Sequence, residues 1–246
     1  MRAGHLAIAS SAGPSAFLPG PATLAVMTTS RVLIVGGGSG MGLALAELLL
    51  TGGVQVTIAG RSAQRLAAAA QRLDQPERLR TRQVDVRCED QVRRLLADAG
   101  QLAHVVVTAA DAAGAYAPLA DFDTDAARAI IGTKLLGPWL VARHAGPHLA
   151  PAASITFTSG MAAYRPGPGA SMIATANGAL EALARALALE LAPTRVNVIS
   201  PGWTDTPVWD TLAGAARRNG WRPWPSGFRF VGSVSQPISP TPSSRS

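Results

Sequence analysis

Cysteine and lysine are nearly absent: Cys88 and Lys134 stand alone among 246 residues, and aromatic side chains make up only 5%. A lone cysteine excludes an intramolecular disulfide and fits a reducing compartment, so a cytoplasmic protein is expected. No apolar run approaches the ~18–20 residues that cross a bilayer, so no membrane partner is expected. Acids are missing from residues 211–246, which carry Arg217, Arg218, Arg222, Arg229 and Arg245, while residues 1–26 add only Arg2. The net charge of +7 therefore belongs to the ends, and residues 27–210 are close to neutral. Without a basic stripe on the globular part, nucleic-acid binding is not expected. Four histidines include the pair His144 and His148, but no cysteine or acid completes a metal site, and Gly146-Pro147 between them marks a helix end.

What is present suits an α/β domain. Hydrophobic residues make up 48% of the chain, and 25 glycines supply tight turns. Short apolar runs alternate with amphipathic stretches. Strands are expected at 31–35, 54–59, 80–86, 104–110, 154–159 and 195–200. Helices are expected at 41–51, 62–73 (with Ser62 as N-cap), 89–98, 124–146 and 170–191. Six such repeats with short connections predict a doubly wound parallel sheet of Rossmann type with helices on both faces. Residues 1–26 begin somewhat like a signal peptide, but Pro14, Pro19 and Pro21 interrupt them, so they are read as a disordered extension before Met27. Residues 27–210 form the expected dinucleotide-binding domain. Residues 211–246, rich in Pro, Ser and Arg, lose the alternation and read as an irregular or disordered tail.

Between the first strand and the first helix lies VGGGSGMG, residues 35–42. Its spacing, Gly36-x-x-x-Gly40-x-Gly42, has a physical logic. Gly36 permits the tight turn, Gly40 lets the backbone approach a pyrophosphate, and Gly42 lets the helix pack against the strand. The N–H groups of the helix start, near Ser39 and Met41, are then available to an anion. At the end of the second strand, Gly60 stands where an NAD-selective domain carries an acid for the ribose 2′-hydroxyl, and Arg61-Ser62 follow. A guanidinium there suits a 2′-phosphate, so NADP(H) is the expected cofactor.

From Arg31 to Pro207 the chain resembles the short-chain dehydrogenase/reductase family. The glycine loop carries the resemblance, together with Asp85-Val86 after the third strand and GALEALARALALELAPTRVNVISPG from Gly178 to Gly202. The resemblance implies that Asp85 and Val86 hold the adenine, that Ala109 lies along the cofactor, and that Thr206 contacts its nicotinamide end. It also implies a small carbonyl or alcohol substrate and a homo-oligomer. The family's last helix and seventh strand find no counterpart in residues 211–246, which would weaken that assembly and expose a sheet edge.

The catalytic positions depart from the family. Thr108-Ala109-Ala110-Asp111 replaces Asn-Asn-Ala-Gly, and Lys134 falls where an Asn is usual. Ile173 and Asn177 replace the Tyr and Lys of Tyr-x-x-x-Lys, and the family's serine falls at Ser159 or, on the stricter alignment, Gly160. Reducing a ketone creates an alkoxide that needs a proton, and Ile173 has none to give. Such a group contributes typically ~10²–10⁴-fold. The Asn and Lys are exchanged, which leaves a cation near the substrate if both positions face one cavity. Lys134 with Ser159 is therefore expected to polarise the substrate oxygen, with Tyr164 reaching in from the next loop. Two other readings stay open: a nucleotide-binding sensor that has lost the acid, and a truncated, weakly folded product.

Overall fold

The computed structural model describes residues 30–111 and 113–202. The expected N-terminal extension, the irregular tail and Thr206 lie outside the described residues.

Among the described residues six strands pair in parallel: β1 Arg31–Val35, β2 Gln55–Gly60, β3 Leu79–Gln83, β4 Leu102–Val107, β5 Leu149–Thr158 and β6 Arg195–Ile199. Their order across the sheet is β3-β2-β1-β4-β5-β6. The chain starts at the centre with β1, winds outward to β3, then returns to β4 on the other side. This creates a crevice beyond the C-terminal ends of β1 and β4, where open α/β sheets bind ligands.

The strand RVLIV shows why its apolar run is continuous rather than alternating. Val32 and Ile34 pack in one core with Ala46 and Leu50 of helix α1 (Gly40–Thr51) and Leu66 and Ala69 of helix α2 (Ala63–Leu73). Leu33 and Val35 point to the other face. There they join Val92, Leu95 and Leu96 of α3 (Glu89–Ala99) and Leu140 and Val141 of α5 (Gly137–Ala145). The same core takes Leu180, Ala184 and Leu187 from α6 (Ser171–Glu190). A sheet covered on both faces buries both side-chain sets. Helix α6 is long and apolar enough to cross a membrane by length and composition. In the fold, one stripe of it packs against the sheet, and it carries Glu181 and Arg185.

The elements depart from the sequence expectation where local polar groups win. The third strand stops at Gln83: the Val84 N–H makes the last rung of the β2–β3 ladder to the Gly60 carbonyl at 2.9 Å, and the Asp85 N–H donates to Gln91 Oε1 at 2.9 Å instead. The fourth stops at Val107, where the N–H groups of Thr108 and Ala109 both donate to the Val35 carbonyl. The fifth begins at Leu149, ahead of a register shift against β4. The helix expected over 124–146 is three pieces: α4 (Thr124–Ile131), a π-turn (Gly132–Leu136) and α5. Pro138 has no N–H for the Lys134 carbonyl one turn back, so the ladder widens there. α5 ends at Ala145, between the two histidines.

Candidate active site

The glycine loop is built from contacts that forbid side chains. Gly36 has φ of +98°, and a Cβ on it would lie 2.5 Å from Thr108 Oγ1 and 2.6 Å from the Ala109 nitrogen. A Cβ on Gly42 would lie 2.5 Å from the Gly36 carbonyl oxygen and 2.7 Å from Thr108 Oγ1. Helix α1 therefore starts in direct backbone contact with the turn. Gly40, its first residue, also has positive φ, +55°. Thr108, where the family has Asn, closes the loop from β4 by donating from Oγ1 to the carbonyls of Gly36 (3.2 Å) and Val35 (3.3 Å). Ser39 is the N-cap of α1, but its side chain makes no capping bond, and the first turn holds no acid. The amides around Met41 thus carry the partial positive charge of a helix start with no side chain assigned to it.

The side of the crevice beyond β2 and β3 is crowded with paired charge. Arg61 Nη2 lies 2.9 Å from Asp111 Oδ2. Ser62 caps α2 as expected, accepting from the Arg65 N–H at 3.2 Å. The Asp85 carboxylate accepts from Arg87 Nη2 at 2.6 Å and from the Arg87 backbone N–H at 3.0 Å. These bonds, the side-chain bond foremost, hold the Asp85 carboxyl below its ordinary range. Val86 is 3% exposed and packs on Gly137, where a Cβ would come within 2.6 Å of Val86 Cγ2. Ala109 is partly buried against the same core.

At the C-terminal end of β5, Lys134 and Asn177 converge. Lys134, turned inward by the π-turn and 7% exposed, donates from Nζ to the Thr158 carbonyl at 3.3 Å and the Ser159 carbonyl at 3.4 Å. Burial lowers its pKa from 10.5 to about 8. Asn177, 2% exposed, donates from Nδ2 to the Gly160 carbonyl at 3.5 Å. A Cβ on Gly160 would lie 2.9 Å from Asn177 Nδ2, so residues 160 and 177 are side-chain neighbours, as the stricter alignment requires. Asn177 Oδ1 and Thr158 Oγ1 are buried without a partner among the described residues. Ile173, 8% exposed, sits in an apolar cluster with Ala115, Ile130, Ala170 and Ala176. Lys134 and Ser159 are brought together, but through the Ser159 backbone. The Ser159 hydroxyl turns away, to Glu181 Oε1 at 2.9 Å and the Asn177 carbonyl at 3.2 Å.

Glu181 is the residue that sequence reasoning passed over. Its carboxylate accepts from three hydroxyls: Ser159 Oγ and Ser200 Oγ, each at 2.9 Å from Oε1, and Tyr164 Oη, 2.6 Å from Oε2. Tyr164 is 53% exposed and stands just after the short turn Met161–Ala163 that follows β5. The available signal was an acid four residues beyond Asn177 on an Ala/Leu-rich helix, one turn further along the same face.

Comparison with known proteins adds a family match, two relatives and two solved structures. The family model described as Enoyl-(Acyl carrier protein) reductase matches residues 35–223. The short-chain dehydrogenase/reductase malC of Malbranchea aurantiaca is 35% identical over 199 residues, 75% of each chain. The L-fucose dehydrogenase of Oryctolagus cuniculus is 32% identical over 218 residues, 84% of this chain and 72% of that one. Among solved structures, the MalC reductase/Diels-Alderase of the same fungus superposes with TM-score 0.71 at 33% identity, covering 82% of this chain and 84% of the other. A short-chain dehydrogenase/reductase of Brucella melitensis superposes with TM-score 0.68 at 30% identity, covering 76% and 77%.

Proposed function

Because the chain belongs to the short-chain dehydrogenase/reductase family of nicotinamide-dependent oxidoreductases, we propose that it transfers a hydride between NADP(H) and a small carbonyl or hydroxyl compound. The observation that carries this reading is the side-chain-free turn at Gly36 and Gly42, opening an α1 N-terminus with no capping side chain. That cradle fits a diphosphate, whose charge the helix start favours. The amides near Ser39, Gly40 and Met41 would hold it. Gly60 and Arg61, with Ser62 beside them, favour the 2′-phosphate form. Asp85, Val86 and Ala109 would line the adenosine side, and Thr206 the nicotinamide end. The bound cofactor supplies or accepts the hydride.

The chain's own residues handle the proton. In the oxidation direction, the substrate hydroxyl passes its proton to Tyr164 Oη as the Tyr164 proton passes to Glu181 Oε2, already 2.6 Å away. Reduction runs the same path backwards. Ser159 fixes Glu181 from just past β5, and Lys134 sets a cation behind the same turn, so the two act on the substrate oxygen through position and field.

Ile173, at the family's acid position, favours a second reading, a sensor that binds the dinucleotide without turnover. Titrating NADPH and NADH against the purified chain, followed by a carbonyl turnover screen, separates the two. The enzyme reading expects NADPH to bind more tightly than NADH and to be consumed. Tyr164→Phe should then lower turnover by roughly 10²-fold or more with NADPH affinity unchanged. Binding with no turnover on any carbonyl supports the sensor. If neither dinucleotide shifts the melting temperature or fluorescence at millimolar concentration, the cofactor reading is wrong.

A further inference from the structure

The arginine that favours a 2′-phosphate already has an anion. Arg61 follows β2 and Asp111 lies beyond β4, and these strands flank β1 on its two sides. Their 2.9 Å ion pair therefore crosses the C-terminal end of β1, above the turn that begins at Gly36. Asp111 is held for this. Its backbone N–H donates to Thr133 Oγ1 at 3.0 Å, and Thr133 is 2% exposed. Thr133 Oγ1 in turn donates to the Ala129 carbonyl at 2.8 Å. The pair does not stand alone. Asp85 feels the Arg61 charge as well as its own partner Arg87, and Arg87 feels Asp111. Two guanidinium groups and two carboxylates thus share the adenosine end of the crevice, and their charges cancel.

We propose that Asp111 sets the cofactor preference of this chain by holding Arg61 and opposing the 2′-phosphate that Arg61 would otherwise take. The proposal rests on the dinucleotide reading above. A 2′-phosphate must either displace the carboxylate from Arg61 or approach with Asp111 nearby, and both weaken NADP(H) relative to a free arginine. NAD(H) has only a hydroxyl at that position. It leaves the ion pair intact, so its affinity does not depend on Asp111. Asp111 is a specificity-determining residue, and Arg61 alone overstates the bias toward NADP(H).

Binding measurements test this without any substrate. Dissociation constants for NADPH, NADH, 2′,5′-ADP and 5′-AMP are measured by titration calorimetry for the unmodified chain, Asp111→Asn, Arg61→Ala and the double variant. Asp111→Asn should tighten NADPH and 2′,5′-ADP by roughly three- to tenfold, the scale of a partly exposed ion pair and one removed like charge. NADH and 5′-AMP should stay within about twofold. With Arg61→Ala in place, adding Asp111→Asn should yield a much smaller gain, because no arginine remains to be released. An unchanged NADPH-to-NADH ratio in Asp111→Asn overturns the proposal, as does an equal change in both. Asp111→Ser provides the same comparison if the Asn variant unfolds. Failure of the unmodified chain to bind either dinucleotide overturns the cofactor reading itself, a result distinct from an unchanged ratio.

Discussion

Replacing Lys134 with methionine should make the protein more stable at neutral pH and remove a pH dependence. The lysine is 7% exposed, and burial brings its pKa down from 10.5 to about 8. At 1.36 kcal/mol per pH unit, that difference corresponds to about 3 kcal/mol. Below pH 8 the lysine is protonated in both the folded and the unfolded chain, so folding bears the whole cost of burying an ammonium. Between pH 8 and 10.5 the folded chain sheds the proton and the unfolded chain keeps it, so stability climbs with pH across that window. Methionine has similar volume and no charge. It also abandons the carbonyls of Thr158 and Ser159, whose bonds to Nζ are long at 3.3 and 3.4 Å. Losing these takes back about 1 kcal/mol or more. The net gain expected at pH 7 is therefore about 1–3 kcal/mol, and it should vanish by pH 10.5. Urea unfolding of both chains from pH 6 to 10.5 measures this, and the difference between them cancels every other titrating group. A difference that does not change with pH would refute the claim that Lys134 is buried as a destabilised cation.

Three further outcomes follow from the same structure. Gly42→Val should abolish binding of either dinucleotide, measured by fluorescence titration, because a Cβ there meets the Gly36 carbonyl oxygen at 2.5 Å and must open the turn. Phe157→Ala should cost about 3–5 kcal/mol in urea unfolding, since Phe157 is fully buried in the core shared by β5, α5 and α6. Arg87→Ala should return the Asp85 carboxyl upward toward its ordinary range, followed by carbon NMR of the aspartates through an acid titration, because the Arg87 side-chain bond is the largest cause of its depression.

The sheet was legible because its signal is local. RVLIV and HVVVTAA carry three or more consecutive apolar residues, as a strand covered on both faces does, while VQVTIA alternates, with Gln55 exposed and Val56 and Ile58 buried. Strand ends were less legible. The third strand ends where β2 runs out at Gly60 and the Asp85 N–H turns to the Gln91 side chain. The π-turn escaped periodicity because Pro138 widens the helix without ending it, and that widening turns Lys134 inward. The glycine loop was readable residue by residue. The charged pairs were not: Arg61 and Asp111 are fifty positions apart, and nothing in either segment announces the other. Glu181 was hidden for the same reason, since its three hydroxyl partners come from the residues just past β5, the following turn and just past β6.

Under the proposed reading, the loop at Gly36 and Gly42 would grip a diphosphate through main-chain atoms alone, so the two halves of the crevice would change differently over time. Amide hydrogens are common to nearly every amino acid, so such a cradle would survive so long as the three glycines do. The groups that move protons are individual side chains, each erased by one codon. Such a scaffold could exchange or discard an acid–base set while its nucleotide seat stays intact, which is how the proposed reading accounts for Ile173, Asn177 and Lys134.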